Sequence, residues 1–232
     1  KGVLIDGSLD ISSGILDVNG SLILSGSFSG IISGGEIKIF HDLVAQNAHL
    51  FNPSDGHIKF DGNGIENQDI ELHQSASFYN VTFSTAMSGN YSGISYLNSD
   101  IQINGDLEVN NGCFLILPND TARVEGNTLV NGRITMGSGL FEFKGAVNFQ
   151  DAYIQHSTGI GYQYGKMAFH QNLDSILQFS NGTSTFEFKG TSLQTIPGVI
   201  FQVLLTNNPA GLVTNGNIGV DDTINLLNGV IN

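Results

Sequence analysis

One ten-residue pattern recurs along this chain and constrains its fold more than any other feature. Residues 105–114 read GDLEVNNGCF, 7–16 read GSLDISSGIL and 132–141 read GRITMGSGLF, with glycines and apolar residues in the same places and no gap. Residues 20–28 (GSLILSGSF) are one position shorter, and 223–231 (TINLLNGVI) lack the leading glycine. The shared form is G-x-φ-x-φ-x-x-G-x-φ, where φ is apolar. Alternating apolar positions fit a strand, whose side chains point to opposite faces at a period of two. Glycines fit the corners between strands. Many short strand–corner units at regular spacing bury their apolar faces by stacking on one another.

Other motifs recur in the same order. Residues 141–145 and 186–190 both read FEFKG, with a relative, IKFDG, at 58–62; FYNVTF at 78–83 is similar to IFQVLL at 200–205. Phe60 pairs with Phe188 at an offset of 128, Val81 with Val203 at 122 and Leu107 with Ile224 at 117. A unit of about 120 residues thus occurs nearly twice, itself built from shorter coils. The expected fold is all-β: a parallel β-solenoid, as a right-handed β-helix, of roughly nine or ten coils of roughly 20–27 residues. Residues 1–232 form one such segment, a rod about 40–50 Å long. Rungs lie about 4.8 Å apart, so Leu9, Leu107, Ile134 and Ile224 are expected above one another and buried. Their neighbours Asp10, Glu108, Thr135 and Asn225 are expected in solvent, with Gly and Asn supplying φ > 0 at corners. No window has sustained helical spacing; residues 42–47 (DLVAQN) come nearest to a helical turn.

Composition agrees. With 40% hydrophobic and 12% charged residues, a core is affordable and wholesale disorder is excluded. Twenty-one acids against 8 Lys and Arg give a net charge of −13, which repels phosphate backbones and anionic lipid. No nucleic-acid partner and no membrane insertion are expected, and no apolar run approaches the roughly 18 residues of a span. Cys113 stands alone, so no disulfide forms within the chain. The chain starts and stops inside the repeat pattern and looks excised from something longer. A bare terminal coil is an unpaired sheet edge. The expected partners are therefore flanking repeats or further copies of the same protein, with surface glycans besides.

The segments F-K-G…L-Q-T-I-P, I-F-Q-V-L-L-T-N-N and S-D-I-Q-I-N-G-D-L-E-V-N-N-G resemble repeats of large secreted and surface adhesin-like proteins of Bacteroidota-type bacteria. The best copies are residues 78–114 and 200–231, with looser ones over most of the chain. The resemblance implies an extracellular, cell-surface location, type nine secretion and a non-catalytic structural or adhesive role as a stalk or filament. The carboxy-terminal sorting domain of such cargo is not in this sequence. The resemblance also implies O-glycans on Asp-[Ser/Thr] followed by a small or aliphatic residue, which assigns Thr121, Ser175 and Thr223 as attachment sites. N-x-[ST] sequons occur at Asn80, Asn90, Asn119 and Asn181, but bacteria of that type seldom use them.

No catalytic, cofactor or metal residues are assigned. A β-helix enzyme acting on polysaccharide is the alternative, and it needs two carboxylates roughly 5–10 Å apart; Asp151 and Asp174 qualify if their coils adjoin. A lyase also needs cations near the base, yet neither Arg123 nor Arg133 sits beside an acid cluster in the sequence. A carbohydrate-binding module would use exposed aromatics such as Tyr153, Tyr162, Tyr164 and Phe169, although inward packing is the favoured reading of these. His41, His49, His57, His73, His156 and His170 lack metal-ligand spacing. Asp61, Asn63, Glu66 and Asp69 cluster oxygens without a calcium-loop pattern and read as a turn. Cys113 reads as a small apolar position.

Overall fold

The computed structural model describes residues 2–64, 66–84, 93–156, 165–179 and 184–232, with backbone alone for 150–156 and 175–179. No helix occurs among the described residues, and every strand pair is parallel. The chain winds into a β-solenoid of about nine turns. One turn is visible at Ile101–Ile103, Leu107–Val109 and Cys113–Leu117, after which Thr121–Val124 returns above the first strand. Partners in register are 18 residues apart at the tightest turn (Gln194 with Leu212) and 27 at the widest (Gln68 with Ser95).

Three long ladders result, beside the short pair Gln194–Pro197 and Leu212–Asn215. The first climbs from Val3–Ile5 through Leu22–Leu24, Leu43–Ala45, Gln68–Leu72, Gly93–Leu97, Cys113–Leu117 and Arg133–Met136. The second runs from Ile15–Val18 through Ser33–Ile39, Asp55–Phe60, Asn80–Phe83, Leu107–Val109 and Thr128–Val130. The ten-residue strand Val147–His156 turns the corner between them and belongs to both. The third begins only at Ile101–Ile103 and continues through Thr121–Val124, Leu140–Phe143, Lys166–Phe169, Thr185–Phe188, Ile200–Asn207 and Gly219–Asn228.

Before Ile101 the third side is made of turns. The N–H groups of Phe28, Ala48 and Ala76 each bond back three residues, to the carbonyls of Ser25, Ala45 and His73. One phenylalanine per turn fills the interior there: Phe28, Phe51 and Phe78 are buried, with successive ring centroids 6.0 Å apart. Above Ile101 the strands carry the rings instead, and Phe143, Phe169 and Phe188 stack at 5.4 and 5.2 Å. Each fully buried ring contributes about 1.5–3 kcal/mol.

The recurring motif proves to be a strand–corner unit that visits any side. Leu107 lies between Val81 and Thr128, Ile134 between Leu115 and Ile154, and Ile224 on Leu204. The four expected equivalents therefore do not stack on one another, because a motif spaced by a third of a turn is as regular as one spaced by a whole turn. Leu107 and Ile134 are buried, whereas Leu9 is half-buried and Ile224 is 51% exposed. Ile224 holds an inward ladder position, but among the described residues no strand lies above Gly219–Asn228 to cover it. Asp10 and Asn225 are exposed, and Glu108 and Thr135 are half-buried. Residues 42–47 contain the strand Leu43–Ala45 rather than a helical turn, since Leu43 and Ala45 point inward on one ladder.

Corners also work differently from expectation. Every positive φ belongs to glycine, as at Gly112 (84°), and no Asn or Asp adopts one among the described residues. The Asx side chains instead bridge coils. Asp10, Asp42, Asn80, Asp100, Asp106 and Asn127 each accept the backbone N–H of the next turn, from Ile31, Asp69, Asp106, Thr121, Asn127 and Ala146, at 2.6–3.2 Å. A corner interrupts the ladder of backbone hydrogen bonds, and these carboxylates and amides satisfy the donors left over.

Some motif glycines serve close approach rather than dihedral freedom. A Cβ on Gly132 would lie 2.5 and 2.6 Å from the carbonyl oxygens of Asn110 and Cys113. Gly132→Ala is expected to destabilise the protein by about 1–3 kcal/mol. Gly26→Ala, where the nearest atom is 3.6 Å away, should leave stability close to wild type. Urea denaturation of both variants checks this.

Candidate functional site

The third side carries the two features with chemical potential, and both follow from its change of construction at Ile101. Where turns give way to strands, a cleft of about 350 Å³ opens beneath the Thr121–Val124 strand. Its polar lining includes Ser77, Asp100, Gln102, Asn104, Thr121 and Arg123. The lining is internally tied. Asn104 donates through Nδ2 to Ser77 Oγ (3.0 Å), Ser77 donates to Asn52 Oδ1 (3.0 Å), and Gln102 Nε2 donates to Asn104 Oδ1 (3.2 Å). Asp100 is held by the Thr121 N–H at 2.8 Å. Near this corner burial, then the charge of Asp100, raises the pKa of Asp120 above the ordinary aspartate value.

Directly above lies a carboxylate enclosed by cations. Glu142, between the buried rings of Phe141 and Phe143, faces outward, yet its side chain is only 8% exposed. Arg123 Nε bonds its Oε2 at 3.0 Å from the turn below. Lys144 (3.1 Å), His170 (3.0 Å) and Lys189 (3.0 Å) converge on Oε1. Lys189 reaches across two turns, since Glu142 registers with Ala168 and Ala168 with Glu187. Glu187 has its own cation, Lys166, at 2.8 Å. Burial by itself would raise the pKa of Glu142, but the hydrogen bonds from His170, Lys189, Lys144 and Arg123 outweigh it. They hold the group well below the usual carboxylate range.

No protein-family model matches the chain, and no curated protein and no solved structure matches it either. What the third side can do rests on its own geometry.

Thr121 opens a strand, half-buried, and lines the cleft; Thr223 is exposed on Gly219–Asn228. The backbone of Ser175 belongs to Leu173–Phe179, and its side chain lies outside the described residues. The coils of Asp151 and Asp174 do adjoin, and Asp174 is exposed, but the Asp151 side chain also lies outside. Of the aromatics, Phe169 is fully buried in the core; Tyr162 and Tyr164 and the side chain of Tyr153 lie outside the described residues. Cys113 is buried at a strand start. His41 meets Glu66 at 3.1 Å, His57 meets Thr82 at 2.8 Å, and the rings of His49 and His73 lie edge to face at 5.9 Å. Among the described residues no group of three or more His, Cys, Asp or Glu is placed to hold a metal ion. Burial raises the pKa of Asp61, within the corner containing Gly64 at φ 73°.

Sequence reasoning missed the acid beside Arg123, because Glu142 is supplied by the next turn. The FEFKG repeat was the available signal: Glu and Lys two residues apart on a strand share its outer face. Since the folded pKa of Glu142 lies below the ordinary value of 4.5, its stabilisation is complete above that pH. It is lost as pH falls through the folded value, because the unfolded chain takes up the proton first. Glu142→Gln is expected to cost about 1–3 kcal/mol at pH 7 and progressively less as the solution is acidified below pH about 4.5. Denaturant titrations of both proteins at neutral and acid pH test this.

Proposed function

We propose that this chain is a non-catalytic structural and adhesive element, a stiff length of stalk or filament displayed outside the cell. The observation that carries the reading is the stack of parallel turns over a single apolar core, which makes the domain quasi-one-dimensional. Nine turns at about 4.8 Å give a span of about 43 Å. A negative charge of 13 keeps such a rod dispersed and clear of polyanions. In this reading the protein is exported to the bacterial cell surface, its neighbours are repeats of the same kind, and Thr121, Ser175 and Thr223 carry O-linked sugar.

A second reading, carbohydrate binding by the side of the rod, is favoured by one observation, the polar cleft beneath Thr121–Val124. A stalk and a binding cleft are compatible, since an adhesin is a scaffold that presents a binding surface, but binding requires that Thr121, which lines the cleft, be free of glycan.

Electron microscopy of the native protein is expected to reveal thin stalks or filaments attached to cells; dispersed compact particles would overturn the reading. Peptide mapping of that material should find hexose-sized mass additions on the peptides bearing Thr121, Ser175 and Thr223. Unmodified peptides at all three would remove the glycoprotein part.

A further inference from the structure

The cleft on the third side has a composition that selects its ligand. Seven of its eleven lining residues are uncharged and polar, one is a carboxylate and one a guanidinium. Its formal charge is therefore zero, inside a protein whose net charge is −13. Amide, hydroxyl, carboxylate and guanidinium groups each offer paired donors or acceptors to neighbouring hydroxyls. Among the described residues no aromatic lines the cleft, so it offers no stacking platform for a base, an aromatic side chain or a sugar face, and hydrogen bonds to hydroxyl groups carry the binding. Its volume, about 350 Å³, falls in the range of small-molecule sites.

The site is also built in advance. Asn52, Ser77, Asn104 and Gln102 form a chain of side-chain hydrogen bonds, linking residues 27, 25 and 2 positions apart. Ser77 is buried, and its hydroxyl anchors the chain from within the wall. Asp100 is pinned by the Thr121 N–H, and Arg123 is fixed by Glu142 from above. Groups already immobilised lose little further entropy on binding, and they are spread over successive turns, as an extended ligand requires.

We propose that this cleft binds a neutral, hydroxyl-rich oligosaccharide, with Asp100, Gln102 and Asn104 as the contacts that hold its hydroxyl groups. The inference rests on the adhesive reading and supplies the chemistry of its target. The net charge of −13 disfavours uronic-acid and sulfated polymers.

The test is a calorimetric titration of the intact chain with neutral hexasaccharides of glucan, mannan, galactan and xylan type, alongside polygalacturonate. At least one neutral ligand is expected to bind with Kd of about 1 mM or tighter, and polygalacturonate not at all. Asp100→Asn keeps an acceptor for the Thr121 N–H, and Asn104→Ala removes one contact. Each should weaken binding about tenfold or more, about 1.4 kcal/mol, with an unchanged circular dichroism spectrum. Lack of binding by every neutral ligand, equal binding by polygalacturonate, or unaltered affinity in both variants overturns the proposal. Microscopy of the native material judges the stalk reading separately, so stalks without glycan binding would sink this inference alone.

Discussion

Everything in this molecule depends on parallel turns lying in register, each strand hydrogen-bonded to the equivalent strand one turn away. With turns of 18 to 27 residues, no local contact fixes this register. Apolar side chains fix it: a slip by one residue would turn each inward column out to solvent. The phenylalanine columns make the penalty steep, because Phe143, Phe169 and Phe188 touch only in the observed alignment. Turn length varies because corners absorb most of the extra residues, and irregularities within the strands at Ser33–Glu36, Val147–Tyr153 and Phe201–Asn207 take up others.

The corners are where such a fold is exposed to failure, since backbone groups there lose their ladder partners. Two devices satisfy them. On the outside, Asx side chains accept N–H groups of the following turn. On the inside, buried glutamines do the complementary task for carbonyls. Gln68 Nε2 donates toward the carbonyl oxygens of Ile39, Phe40 and His41, and its Oε1 accepts from Ser95. Gln194 Nε2 donates to the carbonyls of Phe169 and Gln171, and its Oε1 accepts the Gly190 N–H. Both follow a Phe-x-Gly corner, at Phe60 and at Phe188. The long repeat at an offset of 128 thus preserves a corner device, although one copy leaves the second ladder and the other leaves the third.

Charge is arranged with the same economy. Four of the eight Lys and Arg residues gather on the third ladder, around Glu142 and Glu187. Lys144 and Lys189 are like charges two turns apart on one face, and both reach Glu142 Oε1, which offsets their repulsion; Lys144 Nζ also meets His170 Nε2 at 3.1 Å. Arg123 is the hinge of this side: one edge of its guanidinium serves Glu142, and the same residue walls the polar cleft. The cleft itself exists because Phe78 ends a series of turns and Ile101 begins a series of strands.

Alternation of apolar and polar residues, glycine punctuation and recurring motifs made the all-β class, the parallel stacking and the approximate number of turns readable from sequence, since each is a local consequence of side-chain period and corner chemistry. The burial of Leu107 and Ile134 followed from the same period. Which residue lies on which did not follow, because the motif marks a third of a turn and identical corners recur on different sides. The exposure of Ile224, the cations around Glu142 and the cleft were likewise beyond a linear reading. Ile224 is exposed because its strand ends its ladder, while the cleft and the cluster around Glu142 are completed by residues 19 or more positions apart, and only the tertiary winding decides which of these meet.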